Sequence, residues 1–320
     1  PSAAGDIDQD GDAELLLRLE SQHLVAVRDE EDGAELWYAV TEVTYGDSLA
    51  SGDADGDGVV EIFIGAQPGA DDNLSAISTA THEVEATATL LAIPFPGFGY
   101  GDTAADGSAR LVTAAVEGPY GDRVGRLLEF DVALHSLSSV GSPLGLDASG
   151  VAVAQFDEDA PLEICVTGSG GGPASDGLLC EDGLTHATEW FVDGGRLNTL
   201  SSAQLDDDPQ QELLATAPYQ SLYAFEGESG WLKWRTPPVP YASDRSLLPV
   251  RSGDFDGDGD LDLAAAQDEP SYRSVFFFHA DSGLPLYGPY VLPGVFALEA
   301  SQLDADVASE LVVGTDAGVI

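Results

Sequence analysis

The chain has 320 residues, of which 57 are acidic and 11 basic, giving a formal net charge of −46 at pH 7. A surface this negative repels nucleic acid and anionic lipid, so we expect no nucleic-acid partner. No apolar stretch reaches the ~18 residues of a membrane-spanning helix, so we expect no membrane insertion. The acids are spread along the chain, which fits a calcium-loaded protein, a surface adapted to high salt, or both.

One phrase recurs seven times along the chain: a small residue, acids at alternate positions, and an apolar segment opened by an acid. Its first loop position falls at Asp6, Asp53, Asp102, Gln155, Gln204, Asp254 and Gln302. Successive copies are therefore 47, 49, 53, 49, 50 and 48 residues apart. A repeat of this length with β-type composition is typical of a four-stranded propeller blade and not of a helical solenoid.

We therefore predict an all-β fold, a seven-bladed β-propeller of four-stranded antiparallel blades, in a single domain over 1–320. The repeats are expected to start near 1, 47, 96, 149, 198, 247 and 296. The seventh repeat runs only to Ile320, so the seventh blade is predicted to be incomplete in this chain. An open ring would leave unpaired strand edges, so we expect either flanking sequence or an unusual closure.

The third and fourth strands of each blade are predicted to flank a tight turn, as in Leu222–Trp234. Glycines at these turns are expected to have positive φ. They are Gly33, Gly183, Gly230 and Gly283. Four tryptophans fall at matching hairpin positions, which favours packing between blades over a sugar-binding role. They are Trp37, Trp190, Trp231 and Trp234.

Three loops have the composition of calcium sites. Calcium takes six to eight oxygen ligands, and acids on alternate residues of a short loop can point several carboxylates inward. The predicted ligands, at positions 1, 3, 5, 7 (a carbonyl) and 9, are Asp6, Asp8, Asp10, Asp12 and Glu14; Asp53, Asp55, Asp57, Val59 and Glu61; and Asp254, Asp256, Asp258, Asp260 and Asp262. An EF-hand needs a bidentate glutamate at position 12, where these loops have Leu17, Ile64 and Ala265. Solvated acidic turns are the alternative.

Three further loops begin with glutamine and lack the glycine that the complete loops have at position 6. Their candidate ligands are Asp157, Asp159 and Glu163; Asp206, Asp208 and Glu212; and Asp304, Asp306 and Glu310. The complete loops predict three Ca²⁺ sites, and these loops would raise the number to six. The third repeat has Ala104 at position 3 and Arg110 at position 9. We expect this loop to be metal-free, with Arg110 supplying the positive charge.

The repeats resemble the FG-GAP (VCBS-type) repeats of the integrin α-subunit N-terminal propeller and its bacterial relatives, strongly in the first, second and sixth and most closely in the second. Tyr45 and Gly46 stand for the FG pair and 65–68 for the GAP motif, with the loop from Asp53 to Glu61 between them. The resemblance implies calcium at blade loops on one face of the ring and ligand contacts on the other. An adhesive role is implied only by analogy, because propellers have many functions.

The two cysteines, Cys165 and Cys180, lie on either side of a glycine-rich turn at 170–173. A cross-strand disulfide is one interpretation, and two buried free thiols are the other. A disulfide would fit an oxidising compartment. The first four residues have neither the charged nor the apolar segment of a signal peptide. We therefore expect a mature or excised segment of a secreted or cell-surface protein.

Catalytic motifs are missing from the sequence: there is no P-loop, no nucleotide fingerprint and no nucleophile elbow, and the five histidines lack zinc spacing. We therefore expect a binding or adhesion module, not an enzyme, with a protein or glycan ligand on the face opposite the calcium loops. A lectin-like glycan binder is its nearest variant. A calcium-dependent polysaccharide lyase would need cations near an acidic sugar, which this composition disfavours. A structural spacer in a larger surface protein is the remaining alternative.

Overall fold

A computed structural model of the protein describes residues 2–5, 7, 14–19, 24–28, 35–40, 46–66, 74–88, 93–117, 124–131, 136–144, 147–169, 176–193, 195–217, 221–238, 250–267, 274–292, 295–301, 308–315 and 318–319. None of these residues is helical, so they contain no helix that could span a membrane. They form 27 strands in seven antiparallel sheets, one sheet for each repeat.

The strands of the first two sheets are β1 (Ser2–Gly5), β2 (Glu14–Leu19), β3 (Leu24–Arg28), β4 (Glu35–Val40), β5 (Gly46–Gly52), β6 (Glu61–Ala66), β7 (Leu74–Ser78) and β8 (Val84–Ala88). Those of the third and fourth are β9 (Ile93–Gly101), β10 (Arg110–Glu117), β11 (Val124–Asp131), β12 (Ser136–Leu144), β13 (Asp147–Ala154), β14 (Glu163–Ser169), β15 (Gly177–Glu181) and β16 (Thr188–Asp193). Those of the last three are β17 (Thr199–Ala203), β18 (Glu212–Ala217), β19 (Ser221–Phe225), β20 (Leu232–Arg235), β21 (Arg251–Gly253), β22 (Asp262–Gln267), β23 (Ser274–His279), β24 (Pro285–Val291), β25 (Val295–Ser301), β26 (Glu310–Thr315) and β27 (Gly318–Val319).

The sheets follow one another around a ring. In every sheet the strands lie in chain order, each antiparallel to the next. The first strands contact one another in sequence from β1 through β5, β9 and β13 to β17, and β21 contacts β25. Sheets five and six are joined by side chains, with Leu214 and Leu222 packed with Leu263 and Phe278. β25 in turn contacts β1, so the last sheet packs against the first and the described sheets close into a ring.

The inner strands of the sheets are deeply buried where the structure describes their side chains, because neighbouring sheets cover both of their faces. β18 and β22 are buried at every residue. Between the second and third sheets, Phe63 and Phe130 meet edge to face with ring centroids 6.4 Å apart. Burial on both faces explains why the second strands are almost continuous apolar runs. An acid at the start of such a strand, as at Glu61 or Glu212, is therefore unusual.

The two cysteines lie on adjacent strands of the fourth sheet. Cys165 of β14 is directly opposite Cys180 of β15, their Cα atoms are 4.1 Å apart, and a disulfide joins them. Both side chains are fully buried. The structure therefore adopts the cross-strand disulfide and not two free thiols. The turn at 170–173 lies outside the described residues.

Two indoles link neighbouring sheets. Trp190 of β16 packs on Gly230 in the turn of the fifth sheet, and its Nε1 donates to the carbonyl of Gly227 at 2.9 Å. Trp234 of β20 packs in the same way on Gly283 in the turn of the sixth sheet. These contacts support the prediction that the tryptophans pack between blades.

Of the other two tryptophans, one also packs between sheets and one does not. Trp37 stacks on the imidazole of His82 in the next sheet, with ring centroids 4.2 Å apart. Trp231 is 77% exposed, so its predicted packing role is wrong. The reason is its position, because Trp231 follows Gly230 in the turn itself whereas Trp234 lies on the strand after the turn.

Positive φ occurs once in each of four described hairpin turns. The residues that have it are His82 (60°), His186 (53°), Gly230 (67°) and Gly283 (64°). The prediction therefore holds for Gly230 and Gly283. It is wrong for Gly183, because the fourth sheet uses His186 at this position of the turn. Gly33 lies outside the described residues.

Candidate metal-binding loops

The acidic loops connect the first and second strands of their sheets and lie side by side. The eighth residue of one loop donates its backbone N–H to the first carbonyl of the preceding loop. The pairs are Leu162 to Asp102 at 3.4 Å, Gln211 to Gln155 at 2.9 Å and Ser309 to Asp254 at 2.6 Å. Because these bonds join consecutive repeats, the loops share one face of the ring.

The ninth residue of the loop, which opens the second strand, has the same backbone role in five repeats. Its buried carboxylate accepts the N–H of the second loop residue. These pairs are Ile7 with Glu14 (2.6 Å), Ala54 with Glu61 (2.8 Å), Phe156 with Glu163, Leu205 with Glu212 (2.7 Å) and Phe255 with Asp262 (3.2 Å). One carboxylate oxygen therefore holds the loop closed, and the second oxygen is left for other partners.

The second loop brings four carboxylates together. Each offers an oxygen, and these oxygens lie within 4.8 Å of one another; the residues are Asp53, Asp55, Asp57 and Glu61. Asp53 accepts the N–H groups of Gly56 (2.7 Å) and Gly58 (3.0 Å), which curl the loop around it. Gly58, at position 6, has a φ of +88°, which explains why glycine is needed there. The four carboxylates predicted for this loop are thus assembled.

Glu61 is the one buried acid of this cluster. It is 1% exposed, and burial, reinforced by the charges of Glu85, Asp55 and Asp53, raises its pKa to about 8. The Tyr100 hydroxyl from the third sheet donates to the Asp53 carbonyl at 2.5 Å. Burial and the charge of Asp53 raise the pKa of Tyr100 to about 12. Ionised Glu61 is therefore costly without a compensating positive charge.

The sixth loop assembles a smaller cluster of Asp254, Asp256 and Asp262. Burial and the charge of Asp256 raise the pKa of Asp262. The predicted ligand Asp258 is not part of this cluster, and its carboxylate accepts the N–H of Asp260 at 2.9 Å. His279 Nδ1 lies 3.9 Å from Asp262 Oδ1. The sixth loop therefore has the same backbone hydrogen bonds to its first aspartate as the second loop, but three clustered carboxylates where the second loop has four.

The fourth loop combines with a residue from the outermost strand. Asp157, Glu163 and Glu189 bring oxygens within 4.8 Å of one another. Burial raises the pKa of Glu163 to about 7, and partial burial beside the charge of Asp157 does the same for the more exposed Glu189. The amide of Gln155 donates to the Asp157 and Asp159 carbonyls, at 3.0 and 2.6 Å. Gln155 thus organises the backbone of the loop, and the predicted ligand Asp159 is replaced in the cluster by Glu189.

The fifth loop holds a side-chain ammonium. Lys233 Nζ lies 2.8 Å from Glu212 Oε1, 3.4 Å from Glu226 and in contact with Asp206 Oδ2. Burial alone would lower the pKa of Lys233, but its hydrogen bonds to Asp206 and Glu212 raise it. The same acids, with Asp208, form a group that could hold a metal ion. In this structure a protein cation lies among them.

The third loop also has its own cation, as expected from its sequence. Arg110 Nη2 lies 2.6 Å from Asp106 Oδ2, and Nη1 lies 3.8 Å from Asp102 and 3.1 Å from the Ser108 carbonyl. The hydrogen bond from Arg110 lowers the pKa of Asp106. Lysine and arginine thus neutralise two of the loops from within the chain.

Several predicted residues lie outside the described part of the chain: Asp6, Asp8, Asp10 and Asp12 of the first loop, Asp304 and Asp306 of the seventh, and Tyr45, Gln67 and Pro68 of the FG and GAP elements. Sequence reasoning missed Glu189, Glu226 and Lys233. The signal for two of them was available, because Glu189 and Lys233 each precede a tryptophan of the fourth strand.

Comparison with known proteins gives structural matches but no sequence family. No family model matches the sequence, and no curated protein gives a significant match. Two crystal structures of BBS1N in complex with ARL6DN have TM-scores of 0.67 and 0.68 at 12% and 14% identity, covering 99% of this chain and 89% of that chain. U3-55K has a TM-score of 0.63 at 11% identity, covering 98% of this chain and 87% of that one. At such identities the likeness concerns the fold alone, and it confirms the predicted all-β propeller.

Proposed function

We propose that the protein is an extracellular calcium-binding β-propeller that acts as an adhesion or ligand-binding module, in which calcium is structural. The carboxylate cluster of the second loop carries this proposal. Four carboxylate oxygens within 4.8 Å of one another repel until a cation neutralises them. Calcium is the favoured ion because the loop supplies only oxygen ligands and can add the Val59 carbonyl.

The repeat-to-repeat comparison supports a cation requirement at these loops. Where the sequence supplies a basic residue, as with Arg110 and Lys233, that residue lies among the loop acids. Among the described residues, no lysine or arginine forms an ion pair with the clusters of the second, fourth and sixth loops. We infer that a metal ion takes the place of the missing side chain there, and the complete first loop is expected to behave in the same way.

A binding role is supported by the fold. BBS1N was crystallised as a complex with ARL6DN, so a propeller of similar fold binds a protein. We propose that this chain binds a protein or glycan on the face of the ring opposite the calcium loops. The Cys165–Cys180 disulfide supports a secreted or cell-surface location. The resemblance to FG-GAP repeats points to the same role.

We propose no catalytic activity. A polysaccharide lyase needs a base and free cations near its acidic substrate. The single lysine of the sequence, Lys233, is held by three carboxylates, and Arg251 is paired with Glu299 at 3.2 Å. Both cations are therefore engaged with acids of the protein and are not free to bind an acidic substrate.

The test of calcium binding is a thermal melt with Ca²⁺ and with excess EDTA at fixed high ionic strength, together with calorimetric titration of Ca²⁺. We expect calcium to raise the midpoint by several degrees or more and the titration to show at least two sites. Asp53→Asn with Asp55→Asn should lose one site, whereas Asp193→Asn, an exposed acid outside the loops, should lose none. An unchanged midpoint and no binding heat would overturn the calcium assignment.

The test of ligand binding uses the calcium-loaded protein on a glycan array and on intact cells. We expect binding that EDTA abolishes and that Asp53→Asn with Asp55→Asn weakens through the stability of the blade. Absence of binding to both, with calcium binding intact, would favour a structural spacer over a binding module.

A further inference from the structure

The fourth and fifth sheets enclose an acidic depression on the loop face. It has a volume of about 420 Å³ and is lined by Asp157, Glu158, Asp159, Glu189 and Glu228. All of its lining residues are acidic, and they come from two sheets. Among the described residues, no basic side chain forms an ion pair with the Asp157, Glu163 and Glu189 cluster at its base.

A second observation points to a ligand at this place. Glu163 is fully buried, and its Oε2 accepts the N–H groups of Phe156 and Asp157. Its other oxygen, Oε1, is buried and has no hydrogen-bond partner among the described residues. The same carboxylate contributes to the cluster with Asp157 and Glu189. A buried carboxylate oxygen without a partner is costly, and a cation in the cluster would satisfy it.

The fifth sheet provides the internal comparison. The acids that open the second strands, Glu163 and Glu212, lie at equivalent positions. Two residues after each of these acids, strand pairing aligns equivalent residues across the sheet. They are Cys165, Cys180 and Trp190 in the fourth sheet, and Leu214, Ala224 and Trp234 in the fifth. Glu189 and Lys233, each one residue before the tryptophan, therefore occupy the same position of the outermost strand. In the fifth sheet the Lys233 ammonium lies 2.8 Å from Glu212 Oε1, the oxygen equivalent to the unpartnered one of Glu163.

We propose that the residue before the tryptophan of the outermost strand, Glu189 or Lys233, decides which cation a blade holds. Glutamate at 189 completes a divalent-cation site, with Ca²⁺ held by Asp157, Glu163 and Glu189, whereas lysine at 233 replaces the metal in the fifth blade with its own ammonium. The fourth-blade site is thus built from a loop and an outer strand and not from the loop alone. Its ion type rests on the calcium binding proposed for the second and sixth loops.

The site also connects two blades. Glu228 follows Gly227, whose carbonyl accepts the indole N–H of Trp190 at 2.9 Å, so the turn of the fifth sheet is fixed beside Glu189. Glu228 of the fifth sheet lines the same depression, so an ion held by the three acids of the fourth sheet also attracts an acid of its neighbour. Loss of the ion should therefore loosen the junction between the fourth and fifth sheets more than the junctions elsewhere.

The experiment is calorimetric titration of Ca²⁺ into the whole chain at high ionic strength, with circular dichroism to establish that each variant is folded. Glu189→Lys should bind one calcium fewer than the wild type, and Glu189→Gln should weaken one site by at least about tenfold. Lys233→Met should gain one calcium, because it frees the acids of the fifth blade. Asp193→Lys, on the same strand as Glu189, and Lys233→Arg are the matched controls and should leave the number unchanged.

The outcomes separate this inference from the proposed function. If the wild type binds no calcium, both are overturned. If the wild type binds calcium and both Glu189 variants bind the same number with the same affinity, only the fourth-blade site is overturned. If folded Lys233→Met gains no site, the exchange between lysine and metal is overturned. Should Glu189→Lys fail to fold, Glu189→Gln still decides the result for the fourth blade.

Discussion

The indole of Trp190 lies directly against the Cα of Gly230 in the next sheet. A Cβ built at position 230 would come 2.5 Å from the Trp190 Cε3, well inside van der Waals contact. The same residue has a φ of +67°, so the position is restricted both by its backbone and by its neighbour. Trp234 and Gly283 repeat the arrangement one sheet further on, also at 2.5 Å. The contact between sheets therefore depends on the absence of a side chain.

Gly230→Ala tests this contact. We expect it to lower the free energy of unfolding by about 3 kcal/mol, since left-handed backbone and overpacking each cost on the order of 1–2 kcal/mol. Chemical denaturation followed by tryptophan fluorescence measures the change. Gly195→Ala is the control, because Gly195 has a φ of +80° and no atom within 4 Å of a Cβ built there. Equal losses in the two variants would show that the Trp190 contact contributes nothing.

Two tryptophans of the fifth sheet should differ in how much they contribute to stability. Trp234 packs against the core and its Nε1 donates to the Ala280 carbonyl at 3.0 Å, so we expect Trp234→Ala to cost about 3 kcal/mol. Trp231 is 77% exposed, so Trp231→Ala should change stability by less than about 0.5 kcal/mol. Thermal melts of both variants measure the difference. A large loss in Trp231→Ala would restore the packing role predicted from the sequence.

The loops could be predicted from the sequence because each is contiguous and repeats at a fixed period. The acid at position 9, for example, is identified by spacing alone, and its backbone contact recurs in five repeats. Glu189 and Lys233 each precede a tryptophan at matching positions, but that spacing does not show that they lie beside the acidic loops. Lys233 is 27 residues from Asp206, and the two meet only because three successive strand pairings bring the outermost strand back beside the loop. That placement depends on strand register, which local patterns do not define.

The disulfide should account for a measurable part of the stability. It joins residues 15 apart, and closing a loop of that size stabilises by about 3 kcal/mol in the chain-entropy estimate. We expect Cys165→Ala with Cys180→Ala to lose about that amount, since alanine fills most of the buried space. Reductant should lower the melting temperature of the wild type and leave that of the double variant unchanged. Alkylation of two thiols in the unreduced, denatured wild type would contradict the disulfide.

Glu181 should make the metal-free protein less stable as the pH rises. It is 3% exposed, its Oε2 has no hydrogen-bond partner among the described residues, and burial raises its pKa from 4.5 to about 7. The folded state thus binds this proton more tightly than the unfolded state. The stability that results is fully present below the unfolded pKa of 4.5 and is lost as the pH rises through about 7.

Glu181→Gln keeps the group neutral at every pH and so isolates this effect. In EDTA at high ionic strength, we expect the variant to match the wild type at about pH 5 and to exceed it by roughly 2 kcal/mol at about pH 8. Denaturant titration at the two pH values measures the difference. Asp193→Asn removes an exposed carboxylate from the neighbouring strand and should show no such pH dependence. If Glu181→Gln and the wild type lose stability in parallel between the two pH values, the Glu181 carboxyl titrates at the same pH in the folded and unfolded states.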